Sequence, residues 1–155
     1  MNTTFPTFLD ALRAALVNRA GLAGVNVFTC PVTPDDLGKQ AIELANEVPI
    51  EQNRLSLNST VLNEEYTLPG AIIAFRTAKQ GGQAINTAAK AARDRVDAIL
   101  EEVVDEITGN DTMSATVRDV TITMQRWTQG MAPENRLGRY CRVEFTLTVT
   151  ACVTP

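Results

Sequence analysis

The chain has 155 residues, of which 45% are hydrophobic and 21% are charged, and its formal net charge is −4. This balance is typical of one soluble globular domain over residues 1–155 and excludes a disordered chain. The acidic balance argues against a nucleic-acid-binding surface, which needs clustered Lys and Arg. Since no apolar stretch approaches the ~18 residues that span a bilayer, we expect no membrane contact.

The first predicted element is a helix from Thr4 to Ala20, with apolar residues at helical spacing and Gly21 as its stop. A short strand from Val25 to Cys30 follows it. The segment from Lys39 to Ala45 fits a second short strand; the alternative is a helical turn that begins in the preceding "TPDD", at Thr33.

Residues 46–63 mix turn formers with isolated apolar residues, which predicts a long loop around a short strand from Arg54 to Leu57. The next strand, Glu64 to Thr77, changes its apolar parity at Pro69-Gly70, where a β-bulge would restore one apolar face. Because Pro69 cannot donate to a ladder, we expect this part of the strand at a sheet edge.

The clearest helical pattern runs from Gln83 to Thr108, where apolar residues recur every three or four positions. Two strands follow, Thr116 to Trp127 and Arg139 to Val153, and "TQGMAPENRLG" joins them as a long hairpin with a large tip. Together these elements predict an α+β fold. It is an antiparallel or mixed β-sheet with one long helix packed on one face, a short N-terminal helix beside it and the other face uncovered.

The last strand has two distinct faces. Its odd positions from Cys141 to Val153 are apolar and belong in a core, whereas Thr146, Thr148 and Thr150 share the opposite face. Three interpretations of this threonine face are open: a solvated strand, a surface that packs against a neighbour, or the lining of a channel. The spacing alone does not separate them.

The three cysteines are Cys30, Cys141 and Cys152, and they have no metal-binding spacing. We expect free, buried thiols, with Cys141 and Cys152 on the apolar face of the last strand.

The sequence predicts no enzyme. The chain contains no His, which is the commonest general base and metal ligand. Glu64 and Glu65 are adjacent and therefore point to opposite strand faces, and the "KQGGQA" turn lacks phosphate-binding spacing. We expect no catalytic residue, no cofactor and no metal.

Two further features suggest contact surfaces. Four acidic residues near the end of the long helix oppose the helix macrodipole: Glu101, Glu102, Asp105 and Glu106. They are either a solvated face or an acidic patch that meets a basic patch on another subunit.

The hairpin tip carries Trp127 and Met131 together with Arg136 and Arg139, residue types that are enriched at protein interfaces. Trp127 by itself fits a core position better than a contact position. Met131 at the loop apex favours docking.

The order of elements resembles the tail terminator (tail completion) proteins of long-tailed bacteriophages. The similarity rests on "FLDALRAALVNRAGLAGVNVF", on "NEEYTLPGAIIAFRT" leading into "AINTAAKAARDRVDAILEEVVDEI", and on "GRYCRVEFTLTVTACV".

The resemblance implies an α+β subunit that forms a six-fold ring, a homo-oligomer, on the head-proximal end of the tail tube. The ring stops polymerisation of the tail tube protein and offers the surface to which the head connector or head-closure protein joins, while DNA passes through its lumen without sequence-specific binding. The expected location is the virion, with assembly in the host cytoplasm. Two alternatives are a head–tail joining (neck) protein and a small-molecule-binding domain, of which the second predicts a concave pocket lined by aromatic residues.

Overall fold

A computed structural model describes residues 3–44, 47–54, 60–78, 80–113, 115–132 and 135–154, with residues 135–137 described by their backbone alone. The α-helices are α1 (Phe5–Asn18) and α2 (Gly82–Gly109). Short 3₁₀ helices lie at Ala20–Leu22 and Pro34–Leu37. The strands are β1 (Asn26–Phe28), β2 (Gln40–Leu44), β3 (Ile50–Arg54), β4 (Leu62–Thr77), β5 (Asp119–Ala132) and β6 (Asn135–Val153). The predicted α+β class is confirmed.

The described strands form one mixed, six-stranded sheet in the order β1-β2-β4-β6-β5. β1 and β2 are parallel, and the other neighbouring pairs are antiparallel. β2 and β3 both pair with the side of β4 that faces away from β6. β3 pairs with the first part of β4, and β2 pairs with the second part. β4 and β6 are therefore the central strands, and β5 forms one edge of the sheet.

The core lies between one sheet face, here called the helix-side face, and the two α-helices. The odd residues of β6 from Cys141 to Val153 are at most 7% exposed, as their alternation predicts. α2 buries Ala88 and Ala92 in its first half, and Ala92 shares the core with larger side chains such as Ile99 and Ile107 further along. The small alanines let the helix start lie close to the sheet backbone, and α1 adds Phe8, Leu12 and Leu16.

The predicted bulge at Pro69-Gly70 is wrong. The register between β4 and β6 is unbroken from Leu62 opposite Val153 to Thr77 opposite Gly138. Ile73 instead lies on the face opposite the helices, where it packs in a second, smaller apolar cluster with Leu37 and Ala41. Both parities of β4 are apolar in this part because both faces of the strand are covered there.

Pro69 lies in a central strand, although the sequence predicted an edge. The stretch of β4 from Thr67 to Pro69 lies between the residues that pair with β3 and those that pair with β2. Only β6 pairs with it, so a residue without an N–H is tolerated. Gly70 is required by a close approach, because a Cβ there would lie 2.4 Å from Cζ of Phe145.

The sheet does contain a bulge, in β5. Met124 lies opposite Phe145, and Arg126 lies opposite Glu144, so Gln125 is the extra residue. An extra residue shifts the alternation by one position. Met124 and Trp127 consequently lie on the same, helix-side face.

The predicted large hairpin tip is also wrong. β5 continues to Ala132 and β6 begins at Asn135, so most of "TQGMAPENRLG" belongs to a long antiparallel ladder. Residues 133 and 134 lie outside the described residues. We call the part of this ladder beyond the Gln125 bulge the arm.

Several smaller predictions differ from the structure. α1 ends at Asn18, and Gly21 is not its stop; the Glu102 carboxylate lies against Gly21, where a Cβ would come within 2.1 Å of Oε1. The Thr33 turn and the second strand both form, and Asp36 accepts hydrogen bonds from the backbone and the side chain of Thr33. The strand predicted at Arg54 lies earlier, at Ile50–Arg54, and residues 55–59 lie outside the described residues.

The three cysteines are free, as predicted. Cys141 is buried, and burial raises the pKa of its thiol. Cys30 and Cys152 are exposed, so their predicted burial is wrong. The even position of Cys152 places it on the face opposite the helices, across from Asn63.

Candidate interaction surfaces

An exposed apolar stripe runs along β5 on its helix-side face. Met124 is 42% exposed, Trp127 41% and Met131 60%. The stripe begins where the cover of α2 ends, since Val120 on the same face is buried and Ile122 is partly buried. The core position favoured for Trp127 alone is therefore wrong. Met131 is exposed on a strand, and not at a loop apex.

The stripe lies on the edge strand of the sheet. β6 pairs with one side of β5, and none of the described strands pairs with the other side. A strand edge offers unpaired N–H and C=O groups to another chain. Exposed Trp and Met side chains next to such an edge are typical of protein contact sites.

The predicted acidic patch on α2 is divided by the structure. Glu102 and Glu106 form ion pairs with Arg19, at 2.7 and 2.9 Å between nitrogen and oxygen. Burial raises the pKa of Glu106, but hydrogen bonds from Arg19 and Asn110 outweigh burial and hold it below its ordinary value. These two carboxylates connect α2 to the end of α1 and are part of the fold.

Glu101 and Asp105 are exposed, and neither forms an ion pair with a described residue. Asp97 lies four residues before Glu101 on the same exposed side of α2. We call Asp97, Glu101 and Asp105 the acidic stripe.

A cluster of basic residues lies where β4 ends, beside the far part of the arm. Arg76 and Arg139 are directly opposite each other on β4 and β6. Nη2 of Arg76 and Nε of Arg95 both donate to Oε1 of Gln40, at 3.4 and 3.0 Å. Lys39 lines the same open concavity as Arg76. We call Lys39, Arg76, Arg95 and Arg139 the basic cluster.

The sequence prediction included only Arg139 of this cluster. The other three residues are remote in sequence, and strand register brings them together, so no local pattern could have revealed them. Arg136, which was also predicted at the contact surface, has a side chain outside the described part of the chain.

The predicted threonine face is real and wider than one strand. Thr146, Thr148 and Thr150 are partly exposed on the uncovered sheet face. Their cross-strand neighbours include further threonines: Thr121 and Thr123 on β5, and Thr67 on β4.

Beyond the threonines, the same face carries a chain of alternating charges. Arg142 pairs with Glu43 at 3.2 Å and with Glu144 at 3.3 Å, and Arg126 reaches Glu144 at 3.3 Å. They line an open concavity of about 810 Å³. Phe145 is the one aromatic residue among its described lining residues, so this is not the aromatic-lined pocket expected for a small-molecule-binding domain.

Glu64 is a fully buried carboxylate whose role the sequence did not indicate. It accepts hydrogen bonds from the backbone and hydroxyl of Thr4, from the hydroxyl of Thr3 and from Nε2 of Gln52, at 2.6 to 2.9 Å. Burial raises the pKa of Glu64, but these hydrogen bonds outweigh burial and hold it below its ordinary value. Glu64 thus caps the start of α1 from a distant strand.

Tyr66 completes the surroundings of Glu64. Its hydroxyl lies 3.4 Å from Oγ1 of Thr4, and burial raises its pKa to about 12. Its ring contacts the rings of Phe5 and Phe8 edge-on. The carboxylate therefore lies beside packed aromatic rings, and its cluster is structural.

The described residues contain neither a candidate metal site nor a candidate membrane-spanning helix. No group of three or more His, Cys, Asp or Glu residues there could hold a metal ion. None of the helices there is long and apolar enough to cross a membrane.

No protein-family model matches the chain, and no curated protein matches it. Among solved structures, it is similar to a chain in the virion of a native gene transfer agent particle, with a TM-score of 0.43 and 14% sequence identity. The similarity covers 92% of this chain and 94% of that chain. At this TM-score and identity, the likeness by itself assigns neither a family nor a function.

Proposed function

We propose that this chain is a structural assembly protein of a phage-like virion, and specifically a tail terminator. Copies join in a six-fold ring on the head-proximal end of the tail tube and stop its polymerisation. The ring then presents the attachment surface for the head connector. The family comes from the sequence resemblance, and the surfaces described above support a subunit that functions by contact with other subunits.

The apolar stripe on the free edge of β5 carries this proposal. Met124, Trp127 and Met131 offer anchors of the types enriched at interfaces, and the strand edge beside them offers backbone hydrogen bonds. In the ring, this edge contacts the neighbouring subunit.

The size of the stripe suggests how assembly is controlled. Burying the exposed part of each of these three side chains gains roughly 1 kcal/mol, while association costs several kcal/mol or more in lost freedom of motion. A single contact is therefore weak. We expect stable rings only when all contacts close together or when the end of a tail tube acts as a template.

We assign the threonine face to the lumen. The threonine face carries short hydroxyl side chains and no exposed large hydrophobic residue. Among the described residues, the exposed large hydrophobic ones are Val17, Ile50 and the three residues of the apolar stripe. A face without such anchors is poorly suited to hold a neighbour. DNA can slide past neutral hydroxyl groups without being held in one register.

The test is deletion of the gene, with variants supplied in trans and tail lengths scored by electron microscopy. Overlong tails that wild-type protein corrects would support a terminator. The double variant Trp127→Ser/Met131→Ser should not correct them, whereas Val17→Ser, which changes an equally exposed apolar residue on α1, should.

The same micrographs test the alternatives. Tails of normal length beside unattached, filled heads would replace the terminator with the head–tail joining protein. Intact, infectious particles would contradict both structural roles.

A further inference from the structure

We infer that the basic cluster of one subunit binds the acidic stripe of the next copy of this chain, which fixes the direction in which subunits follow one another. The inference rests on the proposed ring. To the proposed ring it adds which two surfaces contact each other. The acidic surface is now Asp97, Glu101 and Asp105, and no longer the four-residue patch expected from the sequence.

Lys39, Arg76 and Arg95 of the basic cluster carry positive charge that no described residue neutralises by an ion pair. The guanidinium groups of Arg76 and Arg95 converge on one neutral oxygen, Oε1 of Gln40, and neither forms an ion pair with a described residue. Lys39 is exposed beside them. An acidic partner would supply the counter-charge that these three residues lack among the described residues.

The acidic stripe has the opposite imbalance. Asp97, Glu101 and Asp105 are exposed and follow one another at four-residue intervals on α2. Like charges at this spacing repel each other on a helix surface. Nearby acids on the same helix do have cations, since Asp94 pairs with Lys90 and Glu106 with Arg19.

The two surfaces cannot satisfy each other within one subunit. Arg95 reaches Gln40 at the sheet, whereas the acidic stripe occupies the exposed side of α2. From Arg95 to Asp105 the helix advances about 15 Å, at ~1.5 Å per residue. Two different surfaces that complement each other produce head-to-tail contacts, which form a ring when the rotation between successive subunits closes.

Nucleic acid is the competing partner for a basic cluster. The acidic stripe favours a second copy, because it supplies the matching charges and spacing on the same chain. The net charge of −4 also repels phosphates from the subunit as a whole.

The experiment is a charge swap in purified full-length protein, with assembly measured by sedimentation velocity, first alone and then with purified tail tubes. Lys39→Glu/Arg76→Glu and, separately, Glu101→Lys/Asp105→Lys should each raise the concentration of half-assembly by about tenfold or more. An equimolar mixture of the two double variants should form alternating contacts and recover part of the lost affinity. Arg13→Glu, which changes an exposed residue of α1 that belongs to neither surface, should assemble like wild type.

Each other outcome overturns the inference. Unchanged assembly of both double variants would do so, and so would a mixture with no recovery while circular dichroism shows both proteins folded. Loss of duplex DNA binding in Lys39→Glu/Arg76→Glu, with assembly intact, would assign the cluster to phosphate. Wild-type protein that stays monomeric even with purified tail tubes would contradict the ring itself, and with it the proposed function.

Discussion

The two ends of the β4–β6 ladder differ in how their charged side chains are satisfied. Near one end, buried Glu64 lies opposite Ala151 and accepts four hydrogen bonds. Twelve residues along β4, roughly 40 Å away at ~3.4 Å per residue, Arg76 lies opposite Arg139 and forms no ion pair with a described residue. Hydrogen bonds within the subunit satisfy the Glu64 carboxylate, whereas Arg76 has no acidic partner among the described residues.

This difference distinguishes charged residues that stabilise the folded subunit from charged residues that are available for contact with another subunit. A buried charge must be satisfied internally, or the subunit would not fold. A half-exposed charge can remain in water until a partner supplies its counter-charge. Changes at Glu64 should therefore alter stability, whereas changes in the basic cluster should alter association.

The largest expected effect is at Glu64. Glu64→Ala leaves Thr3, Thr4 and Gln52 without their acceptor and removes the negative charge at the start of α1. We expect a loss of about 3 kcal/mol in the free energy of unfolding, measured with urea. Glu65→Ala, on the exposed opposite face, should change it by less than about 0.5 kcal/mol, and equal losses would contradict the internal role of Glu64.

Acid should weaken the two carboxylates that the fold satisfies internally, Glu64 and Glu106. The folded protein holds the pKa values of Glu64 and Glu106 below their ordinary value of 4.5. Their contribution is therefore complete above about pH 4.5 and is lost as the pH falls through the lower folded-state values.

Thermal unfolding between pH 7 and pH 3 measures this loss. It should be smaller in Glu64→Gln than in wild type, because Gln does not titrate. Identical pH profiles would show that Glu64 is not held in its ionised form by the fold.

A smaller effect is expected at Arg19. Arg19→Ala removes the ion pairs with Glu102 and Glu106, and should cost about 1 kcal/mol because these groups are partly exposed. Urea unfolding of Arg13→Ala, an exposed arginine on α1, provides the control and should resemble wild type. If Arg19→Ala lowered the free energy of unfolding as much as Glu64→Ala does, the ion pairs of Arg19 with Glu102 and Glu106 would be as important to the fold as the hydrogen bonds of Glu64.

The smallest effect on stability is expected at Arg76. Arg76→Gln should stay within about 0.5 kcal/mol of wild type or be slightly more stable, because it removes a like charge opposite Arg139. A scan of melting temperature against salt sharpens the comparison, since added salt should stabilise wild type more than the variant. A decrease of more than about 1 kcal/mol in the free energy of unfolding would show that Arg76, like Glu64, stabilises the folded subunit.

Local pattern was sufficient where a single element decides the outcome. The helix predicted at Gln83 to Thr108 is Gly82–Gly109, because a long amphipathic stripe is stable in one arrangement only. The alternation from Cys141 to Val153 likewise predicted the buried face of β6. For the contact surfaces, residue type predicted the exposure of Met131 but not that of Trp127, whose position depends on where α2 stops covering the sheet.

By itself, the sequence determined the α+β class, the long helix and the two faces of the last strand, because periodicity is a property of neighbours along the chain. The tertiary structure alone decided that β5 carries the bulge and not β4, that Glu102 and Glu106 belong to Arg19, and that Arg76 meets Arg139 and Arg95. Each of these depends on register or packing between segments far apart in sequence. Contacts between distant segments leave no periodic pattern in either segment. They can therefore be identified only from the folded structure.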